Sequence, residues 1–320
     1  MKSISGIVAA VVLPLLLAAC DKSPSPPLVF GANLWPGYEP VYLARELGYF
    51  SAINLRLAEY NSAAEVQQAF RKHELQLAAV TIEDAIQLSR DIPDLKIVLL
   101  LGSSHGADAI LSRPGIDGMR QLQGLRVGVD NSLRGAYFLS LALKNAGMQP
   151  GQVEIVPLPV NGQELAMRAQ KVDAVVVSGP ARENLQENGL HELFSSTRLS
   201  GKMFDVLIAR DEDMGRFHNE MMEWVQTWNR SLDFIHTQPD KAMQIMAKHE
   251  HMDVARFSKA LKDVELLGMQ RNLDLLSGEQ PAVGGGVDSI QRYLLGRGLI
   301  NMGADAAMLL DTSLLSKVSP

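Results

Sequence analysis

From residue 28 to residue 209 the chain alternates short β-branched or aliphatic runs with amphipathic helical stretches, and few folds accommodate that rhythm. The runs at 28–32, 55–59, 77–80, 96–101, 109–112, 126–129, 154–157, 174–177 and 206–209 predict strands. Helical patterns lie between them at 41–47, 63–70, 82–88, 136–146 and 162–169, the fourth ending at Gly147, a helix-stop signal. Strand–helix alternation at this spacing predicts an α/β fold with mainly parallel sheets flanked by helices. The last third differs. Phe217, Met221, Trp224, Val225, Trp228, Leu232 and Ile235 recur at steps of three and four, which predicts one long helix burying that stripe. More helices follow as far as Arg297, with breaks expected at Pro239, Gly268 and the triplet Gly284, Gly285 and Gly286. Two α/β blocks and a helical tail predict two lobes. Crossings between them are expected at Arg113-Pro114-Gly115 and around 202–205, giving lobe I as 28–115 plus 205–320 and lobe II as 116–204.

The N-terminus carries an export pattern. Lys2 precedes an apolar run from 4 to 17 that contains Pro14 and ends in Ala18-Ala19, too short for a membrane span. Leu17-Ala18-Ala19-Cys20 is similar to a bacterial lipobox, in which the cysteine is acylated and becomes the new N-terminus. Residues 1–19 are thus expected to be a lipoprotein signal peptide and 20–27, polar and proline-rich, a lipid-anchored linker. The expected location is extracytoplasmic, on a bacterial membrane. Cys20 is the only cysteine, so neither an internal disulfide nor a thiolate metal cluster is available. The net charge of −6 is spread along the chain with no basic run, which argues against a nucleic-acid partner.

Polar clusters follow several of the strands, where open α/β sheets place ligands. Trp35 and Tyr38, in Asn33-Leu34-Trp35-Pro36-Gly37-Tyr38-Glu39-Pro40, either sandwich a planar or apolar ligand portion or pack between strand and helix. Thr81 either caps the helix that follows or donates its hydroxyl to a ligand. In Ser103-Ser104-His105-Gly106-Ala107-Asp108, the residues Ser104, His105 and Asp108 are candidate contacts, an Asp in a cleft favouring an amine or amidine; the alternative is a solvated turn. Asn131 and Ser132, in Asp130-Asn131-Ser132-Leu133-Arg134-Gly135, open a helix, a geometry that binds anions through backbone N–H groups, with Arg134 available to a carboxylate, sulfonate or phosphate; one of them otherwise serves as helix cap. Ser178, before Gly179-Pro180, is a further candidate contact. His249-Glu250-His251 lacks the spacing of a zinc motif, and no metal or cofactor is expected.

Residues 35–50, Trp-Pro-Gly-Tyr-Glu-Pro-Val-Tyr-Leu-Ala-Arg-Glu-Leu-Gly-Tyr-Phe, resemble the opening of the NMT1/THI5-like solute-binding proteins, which include sulfonate, taurine, nitrate and pyrimidine-precursor receptors. Ala78-Ala79-Val80-Thr81, Ser104 to Ala109 and Leu125-Arg126-Val127-Gly128-Val129 continue the likeness in the same order. The resemblance implies a two-lobed periplasmic binding protein of type II-like architecture. Such a protein closes on a small polar solute, zwitterionic, amine-bearing or pyrimidine-like, and delivers it to an ABC permease and ATPase. Two positions depart from relatives: His105 stands where Asn is common, and Gly179-Pro180 where Glu-Pro is common. A sensing subunit for a membrane signalling protein would use the same lobes. A pyrimidine synthase-like enzyme is the remote alternative, and no lysine for pyridoxal phosphate is identified.

Overall fold

The computed structural model describes residues 26–199, 201–303 and 306–315. Cys20 and the expected signal peptide lie outside them, as does most of the linker. In chain order come β1 (Leu28–Asn33), α1 (Glu39–Glu46), β2 (Leu55–Tyr60), α2 (Ala63–Arg71), β3 (Leu77–Thr81), α3 (Ile82–Leu88) and β4 (Leu95–Ser104). Next are β5 (Asp108–Ser112), β6 (Arg126–Val129), α4 (Leu133–Asn145), β7 (Glu154–Pro157), α5 (Gln163–Arg168), β8 (Ala174–Ser178), α6 (Pro180–Glu187) and β9 (His191–Ser195). Then follow β10 (Phe204–Arg210), α7 (Asp211–Arg216), α8 (His218–Thr237), α9 (Pro239–His249), α10 (Val254–Lys262), β11 (Val264–Leu266), α11 (Met269–Leu276), α12 (Gly284–Gly296) and α13 (Ala306–Leu309).

These strands form two sheets, ordered β11-β4-β10-β3-β1-β2 and β7-β6-β8-β5-β9. Both are mixed, which corrects the expectation of mainly parallel sheets. β1 is parallel to β2 and β3, and β6 to β7 and β8, but β10 is antiparallel to β3 and β4, and β5 to β8 and β9. The reason is topological. β5 and β10 arrive from the other sheet, so they enter at the junction by their N-terminal ends, where their neighbours leave by their C-terminal ends. The first passage runs through residues 105–107, not 113–115, because β5 pairs in the second sheet. On sheet membership, then, the first lobe's opening segment ends near residue 107 and not at 115. The second passage joins β9 to β10, just ahead of Asp205.

The stripe predicted on the long helix is the buried face of α8, where Met221, Trp224, Val225, Trp228 and Leu232 are all buried. Trp224 lies 5.2 Å from Phe30 of β1 and stacks on Trp228 at 6.0 Å, each ring contributing roughly 2–3 kcal/mol of apolar burial. Asn272 of α11 is fully buried and hydrogen-bonds both the N–H and the C=O of Leu100 in β4, so α11 is held to the first sheet by polar as well as apolar contacts. The triple glycine does not break a helix. It forms the first turn of α12, whose N–H groups need no intrahelical partner, and the break falls just before it. α12 reaches across to α4: Tyr293 Oη donates to Ala136 O at 2.9 Å, and Tyr137 Oη lies 3.2 Å from Ser289 Oγ. The tail therefore touches both lobes.

Candidate functional site

At the junction, the N-terminal end of β10 places Asp205 opposite Thr81 of β3. Its carboxylate is buried. Oδ2 accepts from Trp35 Nε1 at 3.0 Å; Oδ1 accepts from Arg134 Nη1 at 3.2 Å and, more weakly, from Tyr38 Oη at 3.4 Å. Trp35 and Tyr38 come from the loop after β1, whereas Arg134 comes from the first turn of α4 in the other lobe. Arg134 also donates to both oxygens of Asp108, at 3.0–3.2 Å. One guanidinium thus binds two carboxylates, one from each sheet.

Burial sets the electrostatics here. It disfavours the Arg134 charge, yet Asp108 and Asp205 together hold the guanidinium well above its usual pKa. Burial raises the Asp205 carboxyl more than Arg134 lowers it. Tyr38 is pushed far up by burial and then by Asp205. On α3, burial lifts Glu83 to about 8 and Asp84 to about 6, with Arg134 opposing both shifts. Neither oxygen of Glu83 hydrogen-bonds another described residue, so burial favours its protonated form.

Beside Asp108 lies a cavity of about 20 Å³, lined also by Asp130, Ser132, Arg134, Gln163 and Ser178. That is room for about one water molecule. Ser132 accepts from Gly135 N at 2.9 Å as the N-cap of α4 and donates to Asp130 Oδ1 at 2.6 Å. Gln163 is buried; its Nε2 donates to Val176 O at 2.7 Å, while Oε1 has no partner among the described residues. Ser178 pairs with Asp108 across the β5–β8 ladder.

Of the residues singled out in the sequence, Trp35, Tyr38 and Asp108 meet around Arg134 and Asp205, and Ser132 and Ser178 line the cavity. Thr81 caps α3, accepting from Asp84 N at 3.2 Å, and neighbours Asp205. Ser104 faces inward: its Oγ lies 2.7 Å from Ser196 Oγ and accepts from Asp108 N, tying together the two passages between lobes. His105 and Asn131 are exposed, and neither lines the cavity. Two charge expectations change. Asp108 offers no free carboxylate to a cation, and Arg134 no free guanidinium to an anion, because each already holds the other.

Asp205, Glu83 and Gln163 were not singled out by sequence reading. Asp205 carries one weak signal, a lone acid opening an apolar strand. Gly179 was noted as a departure whose backbone could still be a contact, not for its packing. With φ at +55°, it lies under the Trp35 ring, and a Cβ there would sit 2.7 Å from Cζ3. The glycine is what allows a first-lobe tryptophan to rest on the second lobe. Arg182 of α6 bridges the lobes again, pairing with Asp263 next to β11. Among the described residues, no group of three or more His, Cys, Asp or Glu is placed to hold a metal ion.

Residues 35–242 match the family described as NMT1/THI5 like. The taurine-binding periplasmic protein of Escherichia coli is 26% identical over 168 residues, 52% of each chain. Binding proteins of Brucella species are 24% identical over 185 residues, and the chain spans 58% of their length. The alkanesulfonate-binding protein SsuA of Xanthomonas axonopodis pv. citri, bound to MOPS, superposes with a TM-score of 0.72 at 14% identity, covering 89% of this chain and 98% of that one. For the aliphatic sulphonate binding protein SsuA of E. coli the TM-score is 0.73 at 15% identity, covering 89% and 92%. These superpositions establish a shared fold of two sheets flanked by helices.

Proposed function

The chain belongs to the NMT1/THI5-like family, and from that premise we propose that it is an extracytoplasmic receptor that captures a small polar solute between its lobes for an ABC importer. One observation carries the reading: Arg134 of one lobe and Asp205 of the other form a buried ion pair at the mouth of both sheets, with Trp35 on the same carboxylate. Strand ends, helix starts and both passages between lobes converge there, which is where open α/β sheets bind ligands.

The closed arrangement is held by contacts that exist only when the lobes meet: Arg134 to Asp205, Arg182 to Asp263, and Trp35 against Gly179. Opening requires that Arg134 and Asp205 part, exposing both to water. A solute touching both lobes favours the closed form by as much as it binds that form better than the open one. Binding and release of this kind need no covalent chemistry. Taurine and sulfonate receptors among the relatives support a small, charged solute as the cargo. Export through residues 1–19 and lipid attachment at Cys20 would hold the receptor beside its permease.

Mass spectrometry of solute released by denaturing the purified protein tests the proposal. A small molecule recovered in stoichiometric amount from the wild type and lost from Trp35→Ala supports it. Recovery of none, together with no saturable binding to a broad panel of small solutes, contradicts it.

A further inference from the structure

Resting on the receptor reading, we infer that the cavity lined by Asp108, Asp130, Gln163 and Ser178 is a subsite for the protonated amine of the solute. The argument starts from what each polar group already does. Two devices in this cleft suit an anion, and both are taken by the chain itself. Arg134 is spent on Asp108 and Asp205. At the α4 N-terminus, Asp130 Oδ1 accepts from both N and Oγ of Ser132, placing a carboxylate where an anionic ligand would dock.

What remains unsatisfied is acceptor capacity. Gln163 is 2% exposed and lines the cavity, and its Oε1 has no hydrogen-bond partner among the described residues. Its orientation is fixed because Nε2 donates to the carbonyl of Val176. A buried acceptor left unpaired costs about 1–3 kcal/mol, a cost that a ligand N–H removes. Asp130 adds a carboxylate that holds Ser132 through Oδ1, and Ser178 adds a hydroxyl. The surrounding charges agree: of the lining residues Asp108 and Asp130 are acidic and Arg134 basic, and Asp205 adds a further carboxylate on the same guanidinium. Size agrees as well. A cavity of about 20 Å³ admits a group as large as water, such as an ammonium, and is too small for a sulfonate with its three oxygens.

Saturation-transfer NMR on the whole protein, with propylammonium, 1-propanol and 1-propanesulfonate each at roughly millimolar concentration, tests this. Propylammonium is expected to bind at least about tenfold more tightly than the other two. Asp130→Asn, which keeps the shape and removes the charge, and Gln163→Met, which removes the acceptor, are each expected to weaken it about tenfold. Circular dichroism melting of both variants separates lost binding from lost folding. A preference for propanesulfonate or propanol overturns the inference and leaves the receptor reading intact. Propylammonium binding unchanged in both variants overturns it too, as does failure of propylammonium to bind while the protein still releases a co-purified solute. Absence of both fragment binding and co-purified solute removes the receptor reading as well.

Discussion

Arg134 donates to Asp205 at 3.2 Å across the boundary between the two sheets, so a single buried ion pair joins the lobes at the point where the chain passes between them. The pair does not stand alone. Asp108 takes the other edge of the guanidinium, and Trp35 takes the other oxygen of Asp205. Removing any one member leaves a buried neighbour without its partner, which is where the cost of substitution arises.

Asp205→Ala is therefore expected to destabilise the protein by about 3–5 kcal/mol, the usual cost of breaking a buried pair from one side. Because the lost contact spans the lobes, small-angle scattering of the variant should also show a larger radius of gyration than the wild type. Urea unfolding supplies the energy. A loss below about 1 kcal/mol with unchanged dimensions would show that the pair does not hold the lobes together.

Gly179→Ala puts a methyl against the Trp35 ring in a backbone conformation that side chains disfavour. A loss of about 1–3 kcal/mol in stability is expected from the backbone alone. Displacement of Trp35 should red-shift its fluorescence. Trp224 and Trp228 are buried in the first-lobe core and serve as internal references.

The raised pKa of Glu83 fixes the sign of one pH effect. The folded chain holds this proton up to about pH 8, while the unfolded chain releases it near its ordinary value of 4.5. Folded protein therefore binds more protons between those limits, and stability falls as pH rises through them. Asp84, raised to about 6, acts in the same direction over a narrower range. Glu83→Gln should flatten the decline between pH 5 and pH 8, measured by urea unfolding at each pH. A variant with the wild-type slope would show that Glu83 ionises normally.

Away from the cleft, His249 at the end of α9 lies 2.8 Å from Glu39 of α1 and 3.2 Å from Glu59 of β2, and its ring stacks on Tyr42 at 4.0 Å. Burial opposes its charge, but the two carboxylates raise its pKa above the usual 6.5. The stability it contributes is complete below that value and is lost as pH rises through the raised one. His249→Phe keeps the stacking and strips buried Glu39 of its partner, so a loss of about 1–3 kcal/mol is expected at pH 6. The loss should shrink by pH 8.5, and thermal melts across that interval measure it. An equal loss at both values would assign the effect to shape alone.

The frame of the molecule was legible because it is written in local patterns. The strands at 126–129 and 154–157 and the helix at 82–88 coincide with the observed elements, and the α8 stripe follows from periodicity alone. Strand direction was not legible. Whether β5 belongs to one sheet or the other depends on pairing with β8 and β9, roughly sixty to ninety residues away, and no local signal encodes it. The same holds for the site. Trp35 and Asp108 declare themselves by following or opening strands, but the anion-binding look of Arg134 was misleading. Its partners, Asp108 and Asp205, are 26 and 71 residues distant and reach it only through the crossing topology.

Trp35 is the one tryptophan of the chain's three that sits at the lobe boundary. Fluorescence titration of wild type and Trp35→Phe with the solute recovered from the purified protein therefore tests the central claim most directly. A saturable change in the wild type that disappears in Trp35→Phe is the predicted result. A change of equal size in both proteins would place binding elsewhere and contradict the account.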